Sequence, residues 1–364
     1  MSYWDLAAGE EFDQDVGRDA TLKPAEDYEV IGNPVTVLSL ELLVSGSPYF
    51  IHDLELPDML HSRVVRPPHY HARLVEVDET PVRSMEGVVS TVVERSFLGV
   101  VAEGEYQAVK AAIRLAGLAN WVSEGTLDTS DIYDRLLANP RQSFEVVAGL
   151  PRSGPVPPVL TATNSAKTIR ARYERPYQMH ASIGPSVAVA QWQRERLTVW
   201  THGQGIFPLR ANLAHVFGVS ADDVRVIHVP GAGCYGHNGA DDAALDAALL
   251  ARAVGPRPVR LAWMRGDEHA WEPYGSAMVV TMQASLDDAG KVVVWNHETY
   301  SDTHSNRPGV LPDAAYFLAG RHTQDQLGLV EGKPNSRLHG GIHRNADPLY
   351  TFSHTATRRP AFAR

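Results

Sequence analysis

Residues 199–254 read VWTHGQGIFPLRANLAHVFGVSADDVRVIHVPGAGCYGHNGADDAALDAALLARAV. Two strand-like runs, Leu197 to Thr201 and Val224 to Val229, each end in a glycine-bearing loop that feeds a helical pattern. The first loop is His202-Gly203-Gln204-Gly205, and the second runs from Gly231 to Gly239. A loop with little side-chain bulk lets backbone N–H groups approach a ligand closely, and the helix that follows adds its positive dipole end. The pattern therefore predicts anion-binding geometry stated twice. In the second helix Asp241 or Asp242 occupies the cap or first turn, and a run rich in alanine and leucine follows. Those carboxylates weaken the helix end as an anion site, so an anion belongs over Gly233 to Gly236. Glycines that only turn the chain would read the same way. Gly231, Gly233 and Gly236 form Gly-x-Gly-x-x-Gly, but no acidic residue follows at the place a dinucleotide fold requires.

The chain has 364 residues, 44% hydrophobic and 21% charged, a globular composition long enough for two domains with cores. No run of about 18 apolar residues exists, and the start, MSYWDLAAGEEFDQ, has neither a basic region nor an apolar core. No membrane span or export signal is expected, which points to the cytoplasm, or to the periplasm if a leader precedes this start. Net charge is −10, without a basic stripe, which argues against a nucleic-acid partner. Cys234 is the single cysteine, so this chain holds no internal disulfide and no iron–sulfur cluster of its own. The 16 histidines are scattered. His69 and His71 lie in a proline-rich turn, and the glycines in His339-Gly-Gly-Ile-His343 oppose a helix that would pair the two histidines.

Residues 1–34 read as an irregular lead-in and 35–138 as a compact α/β unit. Its strands are expected at Tyr49 to His52, Leu60 to Val65, Val75 to Asp78, Val88 to Val93 and Leu98 to Ala102, with a helix from Glu105 to Ala119. Five prolines between Asn139 and Ala166 predict a linker over 139–166. Strands are expected again at Val259 to Met264, Met278 to Leu286 and Val292 to Tyr300, the last two joined by a turn at Asp287-Asp288-Ala289-Gly290. Arg265 is expected to pair with Asp267 or Glu268, or to reach a phosphate. Beyond Ser301 the pattern is loop-like, with one short segment, Pro312 to Leu318.

THGQG and GAGCYGHNGADDAALDAALLARA, followed by PVRLAWMRGDEHAWEPYG, resemble the cofactor-binding region of molybdenum hydroxylase large subunits, the xanthine dehydrogenase and aldehyde oxidase family. The likeness is greatest to the branch of isoquinoline 1-oxidoreductase and nicotinate dehydrogenase large subunits. VSGSPYFIHDLELPDMLHSRVVRPPHYHARLVEVDE is similar to the α/β hammerhead domain of that family, and YERPYQMHASIGPSVAVAQW to the stretch lying near its cofactor and substrate channel. The resemblance implies an α/β (α+β) fold, a hammerhead domain followed over 167–364 by the first part of a molybdopterin cofactor-binding domain.

It also implies chemistry. Members hydroxylate an aldehyde or N-heteroaromatic substrate with oxygen from water, and a molybdenum held by a pterin dithiolene takes the electrons. Gln204 matches the family glutamine whose amide donates to an oxo ligand on molybdenum, and no protein residue need ligate the metal. Gly203, Gln204, Gly205, Gly231, Gly233, Cys234, Tyr235, Gly236, His237 and Asn238 are the expected cofactor-binding residues. Gln178, His180, Cys234 and Tyr235 are expected at the substrate pocket. Relatives more often carry Gly-Phe-Gly-Gly where this chain has Gly233-Cys234-Tyr235-Gly236; a buried, inert thiol is the bland reading of Cys234. Relatives also carry Glu-Pro where Gly184-Pro185 stands here. The implied cofactor is molybdopterin cytosine dinucleotide. The implied partners are a small 2Fe–2S subunit, a cytochrome c subunit and the second half of the large subunit. The family's catalytic glutamate, in a Gly-x-Gly-Glu-like motif, is not found, so a partial chain is expected; the competing reading is an inactive cofactor-binding or assembly fragment. A P-loop or a serine hydrolase lacks its motif here.

Overall fold

The computed structural model describes residues 5, 21–68, 72–123, 130–138, 145–147, 150–152, 158, 160, 165–236, 238–272, 274–275 and 277–301. His69, His71, His237, Pro312 to Leu318, His339 and His343, and most of 139–166, lie outside these residues. The chain divides into two compact units, residues 1–48 and 49–364. In the first, a 3-10 turn at Ala25–Asp27 and a short helix at Leu40–Ser45 are described, and apolar side chains including Val30, Ile31 and Leu38 are exposed.

The second unit contains strands β1 (Leu60–Val64), β2 (Ala72–Val77), β3 (Val88–Glu94), β4 (Phe97–Ala102), β5 (Ala119–Ser123), β6 (Glu145–Val147), β7 (Leu150–Arg152) and β8 (Lys167–Arg175). It continues with β9 (Val187–Gln193), β10 (Arg196–Thr201), β11 (Val224–His228), β12 (Val259–Ala262), β13 (Met278–Leu286) and β14 (Val292–Ser301). Seven form one mixed sheet in the order β11-β10-β9-β12-β1-β4-β3. β1 runs parallel to β12, and β10 parallel to β11; the remaining pairs are antiparallel. Strands from either side of 139–166 thus share one sheet. β4 is buried along its whole length and β9 along most of it, as befits strands covered on both faces.

The cover over the site half of the sheet is the helix Ala240–Val254. Ala243, Ala244, Ala247, Ala248 and Ala251 are all buried on it, so its backbone lies close to the strands, and Trp192 Nε1 donates to the Ala248 carbonyl at 2.9 Å. Two further sheets, β14-β13-β8 and the pair β2-β5, and a ribbon β6-β7 complete the described strands.

The structure amends several expected boundaries. Tyr49 to His52 is no strand: Asp53 accepts backbone N–H groups of Tyr49 (3.2 Å) and Phe50 (2.9 Å) and holds Ile51–Asp53 in a 3-10 turn. The helix from Glu105 stops at Ala116, where Gly117 caps it and Ala119 opens β5. β8, β9 and the β6-β7 ribbon within the expected linker are strands that the sequence pattern does not announce.

Candidate functional site

Two strands deliver the two glycine loops side by side. β10 and β11 are parallel neighbours, so both loops leave the same edge of the sheet. After β10, Gly203 N–H donates to Thr201 Oγ1 at 3.2 Å and the helix Ile206–Phe217 begins behind Gly205. After β11, Gly233 N–H donates to the Gly231 carbonyl at 2.9 Å and tightens the loop.

The loops meet at their side chains. Gln204 Nε2 donates to Cys234 Sγ at 3.0 Å, and that thiol donates to the Gly236 carbonyl at 3.0 Å. Cys234 is half-buried, against the bland reading of a buried thiol. Tyr235 is exposed with φ +56°, a left-handed conformation that costs a non-glycine residue roughly 1–3 kcal/mol. Gly236 has φ +144°, and a Cβ there would stand 2.2 Å from His180 Cδ2. His180 therefore packs directly on the second loop. Gln178 is engaged elsewhere: its backbone pairs with Gly275, and its Oε1 accepts from Arg175 Nε at 3.1 Å.

Beneath the loops lies a buried polar layer that no sequence motif announces. His202 is buried, and its imidazole pKa falls to about 4, first because burial removes water and then because His52 lies beside it, with ring centroids 6.0 Å apart. Val187 N–H donates to its Nε2 at 3.2 Å, and the Asn238 amide sits 3.3 Å from its Nδ1. Asn238 also donates to Ser182 Oγ at 3.4 Å, and Ser182 donates to the Cys234 carbonyl at 3.3 Å. Asn238, itself in the second loop, thus ties that loop to Ser182 and His202. His52 packs on Gly184-Pro185: its Nε2 stands 2.8 Å from the Pro185 carbonyl, and its ring fills the space a Gly184 side chain would need, 2.4 Å from an added Cβ. The sequence signals for this layer are the adjacency of His202 to Gly203 and the place of Asn238 in the second glycine loop.

At the helix Ala240–Val254 the N-cap is Gly239, and Asp241 and Asp242 fall in the first turn, buried. Arg265 pairs with neither Asp267 nor Glu268 in the described contacts; its guanidinium donates to the Ser182 (2.8 Å) and Ile183 (3.0 Å) carbonyls and pins that loop. Glu268 and Glu272, one turn apart, are wholly buried below His180.

Bare backbone converging from two loops, with one side-chain amide at the junction, suits a phosphate-bearing pterin. A molybdopterin cofactor-binding domain is matched over residues 153–319. A nicotinate dehydrogenase subunit of Pseudomonas putida is 36% identical over 309 residues, covering 82% of this chain and 25% of that one. The chain belongs to the molybdenum hydroxylase family. Within it, the aldehyde oxidoreductase molybdenum-binding subunit PaoC of Escherichia coli is 33% identical over 177 residues, 46% of this chain and 24% of its own. The chain spans about a quarter of the length of these curated relatives. The hydroxylase fold is matched in quinoline 2-oxidoreductase from Pseudomonas putida 86, with TM-score 0.56 and 19% identity over 74% of this chain and 39% of that one. The chain lies near the nicotinate branch of the family. Among the described residues, no helix is long and apolar enough to cross a membrane.

Proposed function

We propose that this chain holds molybdopterin cytosine dinucleotide between its two glycine loops, as part of an oxidoreductase that hydroxylates an aldehyde or N-heteroaromatic substrate. The observation that carries the reading is the Gln204–Cys234 contact, which joins the loops into one cradle. When bound, the cofactor supplies the two-electron oxidation of a substrate C–H bond, with water as the oxygen source. Gln204 Nε2 stands at the junction of the two loops, and it is the amide that would donate to the cofactor without adding charge. Gly203, Gly205, Gly231, Gly233 and Gly236 keep side chains out of the cradle. Cys234 and Tyr235 shape the substrate side, with His180 behind them, and Asn238 belongs to the loop's far end.

Residues 35–138 act as the hammerhead part and 167–364 as the first part of the cofactor domain, with 139–166 crossing between them and 1–34 leading in. Their shared sheet supports reading the two as one cofactor-carrying body. A small 2Fe–2S subunit takes the electrons, a cytochrome c subunit receives them, and the second half of the large subunit completes the site.

The test is the molybdenum content of this chain, and the nucleotide it releases in acid, after production together with a cofactor-inserting operon of the family. Near-stoichiometric molybdenum with cytidine monophosphate, both lost in Gly236→Val, is the expected result. Folded protein without molybdenum would overturn the proposal.

A further inference from the structure

Glu268 and Glu272 lie one turn apart inside the protein. Both are 0% exposed. Glu268 Oε1 accepts the Ser186 N–H at 2.6 Å. Glu272 Oε1 accepts the His180 N–H and lies 3.4 Å from the Ala181 N–H, and the same oxygen stands 3.6 Å from His180 Nδ1. The second oxygen of each carboxyl, Oε2, has no hydrogen-bond partner among the described residues. Each carboxyl nonetheless shifts the other's proton affinity, because two bare charges buried one turn apart repel strongly.

Which one carries the proton follows from their surroundings. Burial, then the contact with Glu272, raises the Glu268 pKa to about 7. Burial pushes Glu272 up as well, but the His180 contact, Glu268 and the two backbone N–H groups outweigh it and hold Glu272 below its ordinary value. Below about pH 7 the pair is therefore Glu268 protonated and Glu272 ionised. Tyr274 is the further titratable group on this side; burial, then Glu272, raises its pKa and keeps it neutral.

We propose that Glu268, Glu272 and His180 form a buried relay in which ionised Glu272, backed by protonated Glu268, fixes His180 with its proton on Nδ1 and turns a bare Nε2 toward the second glycine loop. The ring edge carrying Nε2 is the edge packed on Gly236: a Cβ there would stand 2.3 Å from Nε2. His180 is then a proton acceptor for an N–H or O–H group brought to the loop. A proton taken at Nε2 makes an imidazolium whose charge Glu272 balances, while the Glu268 proton stays in place. Glu268 and Glu272 are positioning residues. The inference rests on the loop being the ligand site, the reading proposed above.

The test is the His180 tautomer in the full 364-residue chain, read by long-range proton–nitrogen correlation and assigned by its loss in His180→Gln. The expected result is a protonated Nδ1 and a bare Nε2. Glu268→Gln, whose amide donates as the protonated carboxyl does, keeps that tautomer; Glu272→Gln loses it. Infrared difference spectra of wild type against folded Glu268→Gln supply a second readout: a buried protonated carboxyl band, absent from the variant. A proton on Nε2 in wild type, no protonated carboxyl band, or an unchanged tautomer in Glu272→Gln would overturn the relay. Molybdenum content separates the two proposals. The tautomer without molybdenum keeps the relay and removes the cofactor, and molybdenum with a proton on Nε2 does the reverse.

Discussion

Gln204 Nε2 lies 3.0 Å from Cys234 Sγ, and this contact joins two loops that are 30 residues apart in the chain. The parallel pairing of β10 and β11 brings the loops to one edge, so the contact depends on strand register as well as on the two side chains. Gln204 is exposed, which limits its weight in stability. Replacing it with alanine should change unfolding free energy by no more than about 1 kcal/mol while removing bound molybdenum. Denaturant titration and metal analysis of the same preparation check both halves.

Gly236 combines a left-handed φ with the His180 ring against its Cα. The ring cannot swing away freely, because Glu272 lies under its Nδ1. Gly236→Ala should therefore destabilise by more than about 1 kcal/mol, whereas Gly290→Ala, also at positive φ but in an open turn, should show the backbone cost alone. Comparing the two denaturation midpoints isolates the steric part.

Glu268 and His202 give opposite pH dependences. The folded pKa of Glu268 is raised, so the fold binds its proton more tightly than the unfolded chain, and that stability is lost as pH rises from the ordinary glutamate range toward 7. The folded pKa of His202 is depressed to about 4, so the unfolded chain takes up the proton first, and stability is lost as pH falls below about 6.5. Glu268→Gln should gain on wild type as pH rises from about 5 to about 7, by up to about 1.4 kcal/mol per pH unit. Unfolding curves of both proteins at each pH measure the difference.

Arg66 is enclosed between Trp263 and Trp271, 4.9 and 5.5 Å from their ring centroids, and its guanidinium donates to buried Asp246. Trp263 Nε1 donates to the same carboxylate at 3.1 Å. Asp246→Ala would leave the guanidinium buried without that partner, and should cost about 3–5 kcal/mol. Arg66→Met with Asp246→Leu, which removes both charges and keeps apolar volume, should recover much of the loss in a thermal melt.

The glycine loops, their strands and the alanine-rich helix were legible because each is written in local residue spacing. Pairings between distant segments were not. That β1 would lie beside β12 depends on residues almost 200 positions apart, and no local pattern encodes it. Glu268 and Glu272 stand four apart in RGDEHAWE, so one helix face was readable, but such a face is ordinarily solvated, and only the packed fold reveals that it is buried. The role of His52 was hidden for the same reason: it meets the Gly184-Pro185 stretch from more than 130 residues away.

The most direct test of the central claim is anomalous scattering at the molybdenum absorption edge from crystals of the cofactor-loaded protein. A single peak in the cleft between Gln204 and the Gly233–Gly236 backbone is the expected result. A peak away from both glycine loops, such as against the face where Arg170, Gln283 and His297 line a cavity of about 360 Å³, would contradict it.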